Sequence, residues 1–190
     1  MGLKLSQQPD ADALLDADPL ALVIGMVLDQ RIPLEKAFAG PYELTQRLGH
    51  ALDATRIAEF DPDELGAIFS RRPALHRFPG SMATRVRALC RTVVDDYGGE
   101  VANVWRTAKD GSELCARLTA LPGFGPQKAR IFTALLGKQY GVTPPGWQAA
   151  AGQYGEPGSF CSVADITDAQ SLARVREYKK QLKVAARATT

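Results

Sequence analysis

Leu121-Pro122-Gly123-Phe124-Gly125-Pro126-Gln127-Lys128-Ala129 is the stretch whose reading decides the fold. Upstream, Ser112-Glu113-Leu114-Cys115-Ala116-Arg117-Leu118 reads as a short helix, with Ser112 as N-cap and Leu114, Leu118 and Leu121 on one face. Downstream, Pro126 stands where a first-turn proline belongs, and Ala129 to Leu136 continue as an apolar helix that Gly137 stops. The segment is therefore helix, tight hairpin, helix. Two glycines bracketing Phe124 permit positive φ and remove side chains. Backbone N–H groups can then approach a large anion at a helix N-terminus whose dipole favours negative charge. Lys128 lies in that first turn, where a helix welcomes an acid more than a base, so the lysine makes sense if a phosphate meets it.

Working outward, Met82 to Tyr97 has the cleanest helical period in the chain, with Met82, Val86, Leu89, Cys90, Val93, Val94 and Tyr97 recurring at 3–4 spacing and Gly98-Gly99 as the stop. Asp61-Pro62-Asp63-Glu64 is a strong helix start. Between these two helices, Arg71 to Gly80 reads as a basic loop in which His76 is a solvated surface residue or a phosphate contact. Pro19 opens Leu20 to Leu28, apolar on every side, which belongs in the middle of a core. Asp29-Gln30-Arg31 is an abrupt polar tip on that rod. A short helix from Pro33 to Ala39 follows and breaks at Gly40-Pro41; the chain resumes over Tyr42 to Leu48, and Phe38 and Tyr42 beside the break are core aromatics or stacking surfaces.

Residues 1–18 are polar and acidic, a loose lead-in with one short helix around Ala11 to Leu15. Gly137 to Ser162 is loop-rich, with a short helix starting near Thr143-Pro144-Pro145-Gly146-Trp147. Thr167-Asp168-Ala169-Gln170 then caps a last helix carrying Arg174, Arg176, Lys179, Lys180 and Lys183, which frays over Val184 to Thr190. Strict alternation of β-branched residues never exceeds four positions, so no sheet of consequence is expected and the fold class is all-α.

With 190 residues, 45% hydrophobic and 23% charged, the chain has the composition of an ordinary globular protein with a sizeable core. Its net charge of +2 conceals a polarity. Residues 1–67 carry 12 acidic and 5 basic side chains, net −7, and residues 68–190 carry 9 acidic and 18 basic, net +9. The basic part contains the hairpin, which suits a face presented to a polyanion. Cys90, Cys115 and Cys161 form no C-x-x-C pair, and neither a disulfide framework nor a zinc or iron–sulfur site follows from them. The apolar run Leu20 to Leu28 is too short to span a bilayer, no signal peptide is visible, and a cytoplasmic protein with no membrane partner is expected.

The L-P-G-x-G hairpin flanked by two helices resembles the helix-hairpin-helix of the HhH-GPD superfamily of base-excision DNA glycosylases, to which endonuclease III and the 3-methyladenine glycosylases belong. The likeness covers residues 18 to 150. The preceding order of long helix, Gly-Gly-Glu turn and connector is also what that superfamily shows. The resemblance implies a two-lobed helical bundle with a central cleft. It divides the chain into a lead-in (1–18), a glycosylase-like core (19–142) containing the hairpin unit (113–137), and a C-terminal loop and basic helix (143–190) that pack back on the core. It also implies double-stranded DNA as partner to a monomer. Gly123, Phe124, Gly125, Gln127 and Lys128 would lie on the backbone, and Gln30, with Arg31 and Ile32 beside it, would probe the stack where a base leaves it. No catalytic metal is implied, although such hairpins often hold a monovalent cation on their turn carbonyls.

Two family positions differ here. The lysine with which bifunctional members attack the sugar falls on Gln127, an amide without that nucleophilic lone pair, which argues against strand nicking. The family's catalytic aspartate falls in Thr143 to Trp147, which has no carboxylate, leaving Asp29 and Asp165 as the candidates. The four-cysteine cluster of endonuclease III relatives is missing too, so no iron–sulfur centre is expected. The expectation is a monofunctional glycosylase. The alternatives are a lesion- or structure-binding protein that kept the fold and lost the acid, and a helical interaction protein with no nucleic acid.

Overall fold

Aspartates and prolines set most of the helix starts. The computed structural model describes residues 2–189, and among them the chain is all-helical with no strand. In order come α1 (Pro9–Ala17), α2 (Pro19–Leu28), α3 (Leu34–Leu48), α4 (Ala54–Glu59), α5 (Pro62–Ser70), α6 (Pro79–Tyr97), α7 (Asn103–Arg106), α8 (Gly111–Thr119), α9 (Pro126–Gln139), α10 (Trp147–Ala151) and α11 (Ala169–Ala188). Two 3-10 turns, Gly152–Gly155 and Val163–Asp165, stand between α10 and α11. Asp18, Asp53, Asp61, Asp110 and Asp168 cap α2, α4, α5, α8 and α11 by accepting from first-turn N–H groups; each such cap stabilises by ~1 kcal/mol. None of the described helices is long and apolar enough to cross a membrane.

Every residue of α2 from Leu20 to Leu28 is buried, as its unbroken apolar sequence requires. A Cβ at Gly25 would meet the Phe38 ring at 2.7 Å and one at Gly40 would meet Leu28 at 2.6 Å, so both glycines let α3 approach α2 closely. α6 packs on α4 and α5, and α9 packs on α8 and α10. A single buried cluster joins these layers, running from Leu3 to Val175.

Several local expectations are corrected. The lead-in is packed: Leu3, Leu5 and Leu15 are buried, Leu3 N–H donates to Asp16 Oδ1, and Ser6 donates through both N and Oγ to the buried Asp12. α3 runs unbroken through Pro41, because burying Phe38 and Leu44 along one face offsets the ~3 kcal/mol that an interior proline costs. The cap of α8 is Asp110 rather than Ser112, with Glu113 accepting in return from Lys109 N–H. α9 continues past Gly137 to Gln139; at Gly137 a Cβ would strike the Trp147 ring at 2.4 Å, so this glycine makes room for the indole and does not stop the helix. α11 is capped one residue later than expected, by Asp168 with Ser171, and stays helical to Ala188. Thr190 lies outside the described residues.

Candidate nucleic-acid interface

Between α8 and α9 the chain turns in six residues. Gly123 takes φ 87°, and a Cβ there would also sit 3.0 Å from Val27 of α2, so conformation and packing both require glycine. Phe124 N–H donates to Leu121 O at 3.0 Å, and the Phe124 ring packs edge-on to Phe132 at 5.6 Å. Phe124 therefore belongs to the core and pins the turn in place. Gly125 is the open side of the hairpin, where a Cβ would meet nothing.

The amides of Gly125, Gln127 and Lys128 find no acceptor among the described residues, and no side chain caps α9. They are the orphan donors of a 14-residue helix, pointing with its positive dipole end. The Gln127 side chain leans away and donates through Nε2 to Tyr154 Oη at 3.0 Å. These two residues, with Pro126, Arg130, Ala151 and Gln153, line a recess of about 380 Å³ beside the helix start.

Lys128 does not point outward. Its ammonium turns back to the C-terminus of α2, donating to Met26 O at 2.7 Å and reaching Asp29 O at 3.4 Å. Burial lowers its pKa to about 8 against the pull of Asp29. The expectation that its charge meets a phosphate is corrected: a fully buried apolar helix ends in carbonyls that water cannot reach, and this lysine satisfies them.

His76 serves other carbonyls at the same end of α2. It is 1% exposed, against the expected surface position, and Nε2 donates to Leu28 O at 3.1 Å and Gln30 O at 2.9 Å while Nδ1 accepts from Phe78 N–H. That pattern fixes a neutral ring with its proton on Nε2, and burial lowers its pKa. Gln30, expected to probe the duplex, folds back instead: Nε2 donates to Val27 O at 2.9 Å and Oε1 accepts from Arg85 at 3.0 Å. Arg31 is the residue that projects. It is exposed, has φ 55°, and makes no hydrogen bond or ion pair among the described residues. A left-handed arginine at a tip is uncommon and marks a backbone held by its surroundings.

The two candidate carboxylates differ in every respect. Asp165 lies in a 3-10 turn and meets α9 at Lys138, ten residues or ~15 Å along that helix from Lys128. Its Oδ1 takes Lys138 Nζ at 2.6 Å and Ser159 Oγ at 3.1 Å; Oδ2 takes Cys161 N–H at 2.9 Å and Ser162 N–H at 3.1 Å. Both oxygens are engaged and the group is a structural ion pair, which removes it from the expected catalytic set.

Asp29 stands at the tip of α2 beside the hairpin. Among the described residues no hydrogen bond reaches its carboxylate; burial raises its pKa, against the charges of Lys179 and Lys128, which favour the ionised form, and with that of Glu35, which opposes it. Glu35 itself accepts from Arg176 through Oε1 and leaves Oε2 buried without a partner.

The folding thus brings Gly123, Phe124, Gly125, Gln127, Lys128, Asp29, Gln30 and Arg31 together, and leaves Asp165 apart. Three open amides and one projecting arginine can hold backbone phosphates. A carboxylate with raised proton affinity can polarise water or stabilise a nearby cation. His76, Arg85, Glu35, Arg176 and Lys179 complete this region and had no motif to reveal them, because each acts through tertiary contact. The Thr143 to Trp147 stretch packs on α8 and α9 through Trp147 and through Gly111 N–H to Pro145 O, and brings no acid to the hairpin. Among the described residues no group of three or more His, Cys, Asp or Glu side chains is placed to hold a metal ion. Comparison with models of known protein families, with curated proteins and with solved structures finds no match for this chain.

Proposed function

We propose that the chain binds double-stranded DNA and acts in base-excision repair as a monofunctional glycosylase of the helix-hairpin-helix kind, hydrolysing the bond between a flipped base and its sugar. The observation that carries this reading is the set of unpaired amides at Gly125, Gln127 and Lys128, held open beside the tip of α2. Backbone donors at a helix N-terminus suit a phosphate whatever its sequence context. In this reading the hairpin and the α2 tip stand at the mouth of a cleft between two lobes. Arg31 takes the place first given to Gln30 at the vacated stack, and Asp29 supplies the negative charge that the sugar needs as its bond breaks. A monovalent cation on the turn carbonyls is compatible with the hairpin, and neither an iron–sulfur centre nor a catalytic metal enters the mechanism.

A second reading, a lesion- or structure-binding protein without catalysis, is favoured by one observation: the stretch where the family keeps its aspartate has none and packs away from the hairpin. The test is release of free base from duplexes carrying uracil, hypoxanthine, alkylated or oxidised bases. The glycosylase reading expects release by the wild type that Asp29→Asn abolishes and Asp165→Asn spares in its folded fraction. Tight binding without release across the panel establishes the second reading. Absence of duplex binding even at low salt rejects both and leaves a helical interaction protein.

A further inference from the structure

α11 is anchored only at its start. Ser171, Leu172 and Val175 are buried, whereas every residue from Lys179 to Thr189 is exposed. At 1.5 Å per residue, the exposed stretch from Lys179 to Ala188 extends ~14 Å. Its composition is one-sided. After Glu177 no acid follows, and Lys179, Lys180, Lys183 and Arg187 are the only charged side chains.

The spacing places these cations on one face. With Arg176 they recur at three and four residues, so Arg176–Lys180, Lys179–Lys183, Lys180–Lys183 and Lys183–Arg187 are all like-charge neighbours on the helix surface. Each such pair is unfavourable in water, and Lys180, Lys183 and Arg187 form no ion pair among the described residues. A polyanion laid along that face relieves the repulsion and takes up the charge.

The root of the arm is beside the hairpin region. Arg176 bonds Glu35 of α3, and the charge of Lys179 acts on the Asp29 carboxylate at the tip of α2. The basic face therefore leaves the body at the same tip of α2 that carries Arg31. We infer that the distal half of α11, Lys179 to Arg187, is an arm that follows the phosphate backbone of duplex DNA away from the hairpin contact. The inference rests on the DNA reading given above and adds a flank to its footprint. A membrane surface is the poorer occupant, since the arm offers only Leu182 and Val184 as large apolar groups and no tryptophan or phenylalanine to bury.

The quadruple variant Lys179→Gln, Lys180→Gln, Lys183→Gln, Arg187→Gln is compared with the wild type by fluorescence anisotropy on a labelled undamaged duplex between about 50 and about 200 mM salt. Circular dichroism confirms that it folds, and a chain ending at Tyr178 serves as a second variant that removes the arm. Each phosphate contact adds about 0.9 to the slope of log K against log salt, so losing four flattens it by up to ~3.6 and weakens low-salt binding by at least tenfold. Wild-type binding with the slope and affinity unchanged in both variants overturns the arm alone. Wild-type binding to phosphatidylserine vesicles, or salt-independent self-association through Leu182 and Val184, with no binding to duplex at any salt, overturns both the arm and the DNA reading.

Discussion

The two ends of α9 carry the same kinds of group and treat them in opposite ways. At the C-terminal end Lys138 meets Asp165, and that carboxylate is met by four further donors if the Cys161 thiol is counted, so no polar atom there is left to bind anything else. At the N-terminal end three amides have no acceptor among the described residues, Lys128 holds helix carbonyls instead of a carboxylate, and the side-chain carboxylate of Asp29 stands close by with no hydrogen bond among them. First-turn amides that no protein acceptor takes up stay free to bind an anion, so this is the end at which the proposed site is placed. A lysine and an aspartate beside one helix are thus a brace in one place and a candidate site in the other, and hydrogen-bond completeness separates them.

The largest effect tests the brace. Asp165→Ala leaves the Lys138 ammonium, 16% exposed, without its partner and strips two backbone amides of their acceptor. Removing one partner of a buried pair costs about 3–5 kcal/mol, and for a chain of this size a thermal melt should fall by ~10 °C. A melt within about two or three degrees of wild type, a change of only ~1 kcal/mol, means that the pairing at this end is not structural and the contrast fails.

Next in size is His76→Leu, which removes the donor to Leu28 O and Gln30 O and should cost about 1–3 kcal/mol in a urea titration. The sign with pH follows from its lowered pKa. The unfolded chain takes up the proton near 6.5 and the folded chain only below that, so the stability present above pH 6.5 is lost as pH falls through the folded value. The leucine variant should lack that acid limb, and an identical limb in both proteins shows that His76 is not its source.

How much of this was legible in the sequence depends on whether a signal is local. The hairpin, the apolar rod Leu20 to Leu28, the Asp61-Pro62 start and the Met82 to Tyr97 period are local patterns, and the helices stand where they predict. α4 was not foreseen: it is six residues long, and its Asp53 cap precedes too short a run to show a period. Residues 1–18 read as a loose lead-in because most of them are polar or acidic, yet the buried Leu3, Leu5 and Asp12 dock the segment. In the candidate site the error had one source. Gln30, Lys128 and His76 read as outward-facing polar residues, whereas the buried end of α2 claims all three for its carbonyls. Helix ends need partners from distant segments, and no spacing rule records which residues will be recruited.

The hairpin glycines separate stability from binding on a smaller scale. Gly123→Ala forces an L-residue to φ 87° and presses on Val27, at a cost of about 1–2 kcal/mol by denaturation. Gly125→Ala, in extended backbone with open space around it, should change stability by less than ~0.5 kcal/mol. It should nevertheless weaken duplex binding, because a methyl group then stands where a phosphate must come close to the amides. Equal binding by Gly125→Ala and wild type removes the hairpin from the interface.

The smallest stability change is the sharpest test of the open end. Asp29→Asn keeps the shape of the side chain and breaks no hydrogen bond; it removes a charge that burial disfavours and that Lys179 and Lys128 favour. The net change near neutral pH should stay within ~0.5 kcal/mol. Its pH dependence has a definite sign. With a folded pKa above the usual 3.8, the wild type holds its extra stability below that value and loses it as pH rises through the raised one, so the variant should gain on the wild type over that interval and run parallel above it. Base release, by contrast, should fall about 100-fold or more, the scale of a lost general base. The opposite outcome, a variant that melts early and still releases base at the wild-type rate, makes Asp29 another brace and erases the difference between the two ends of α9.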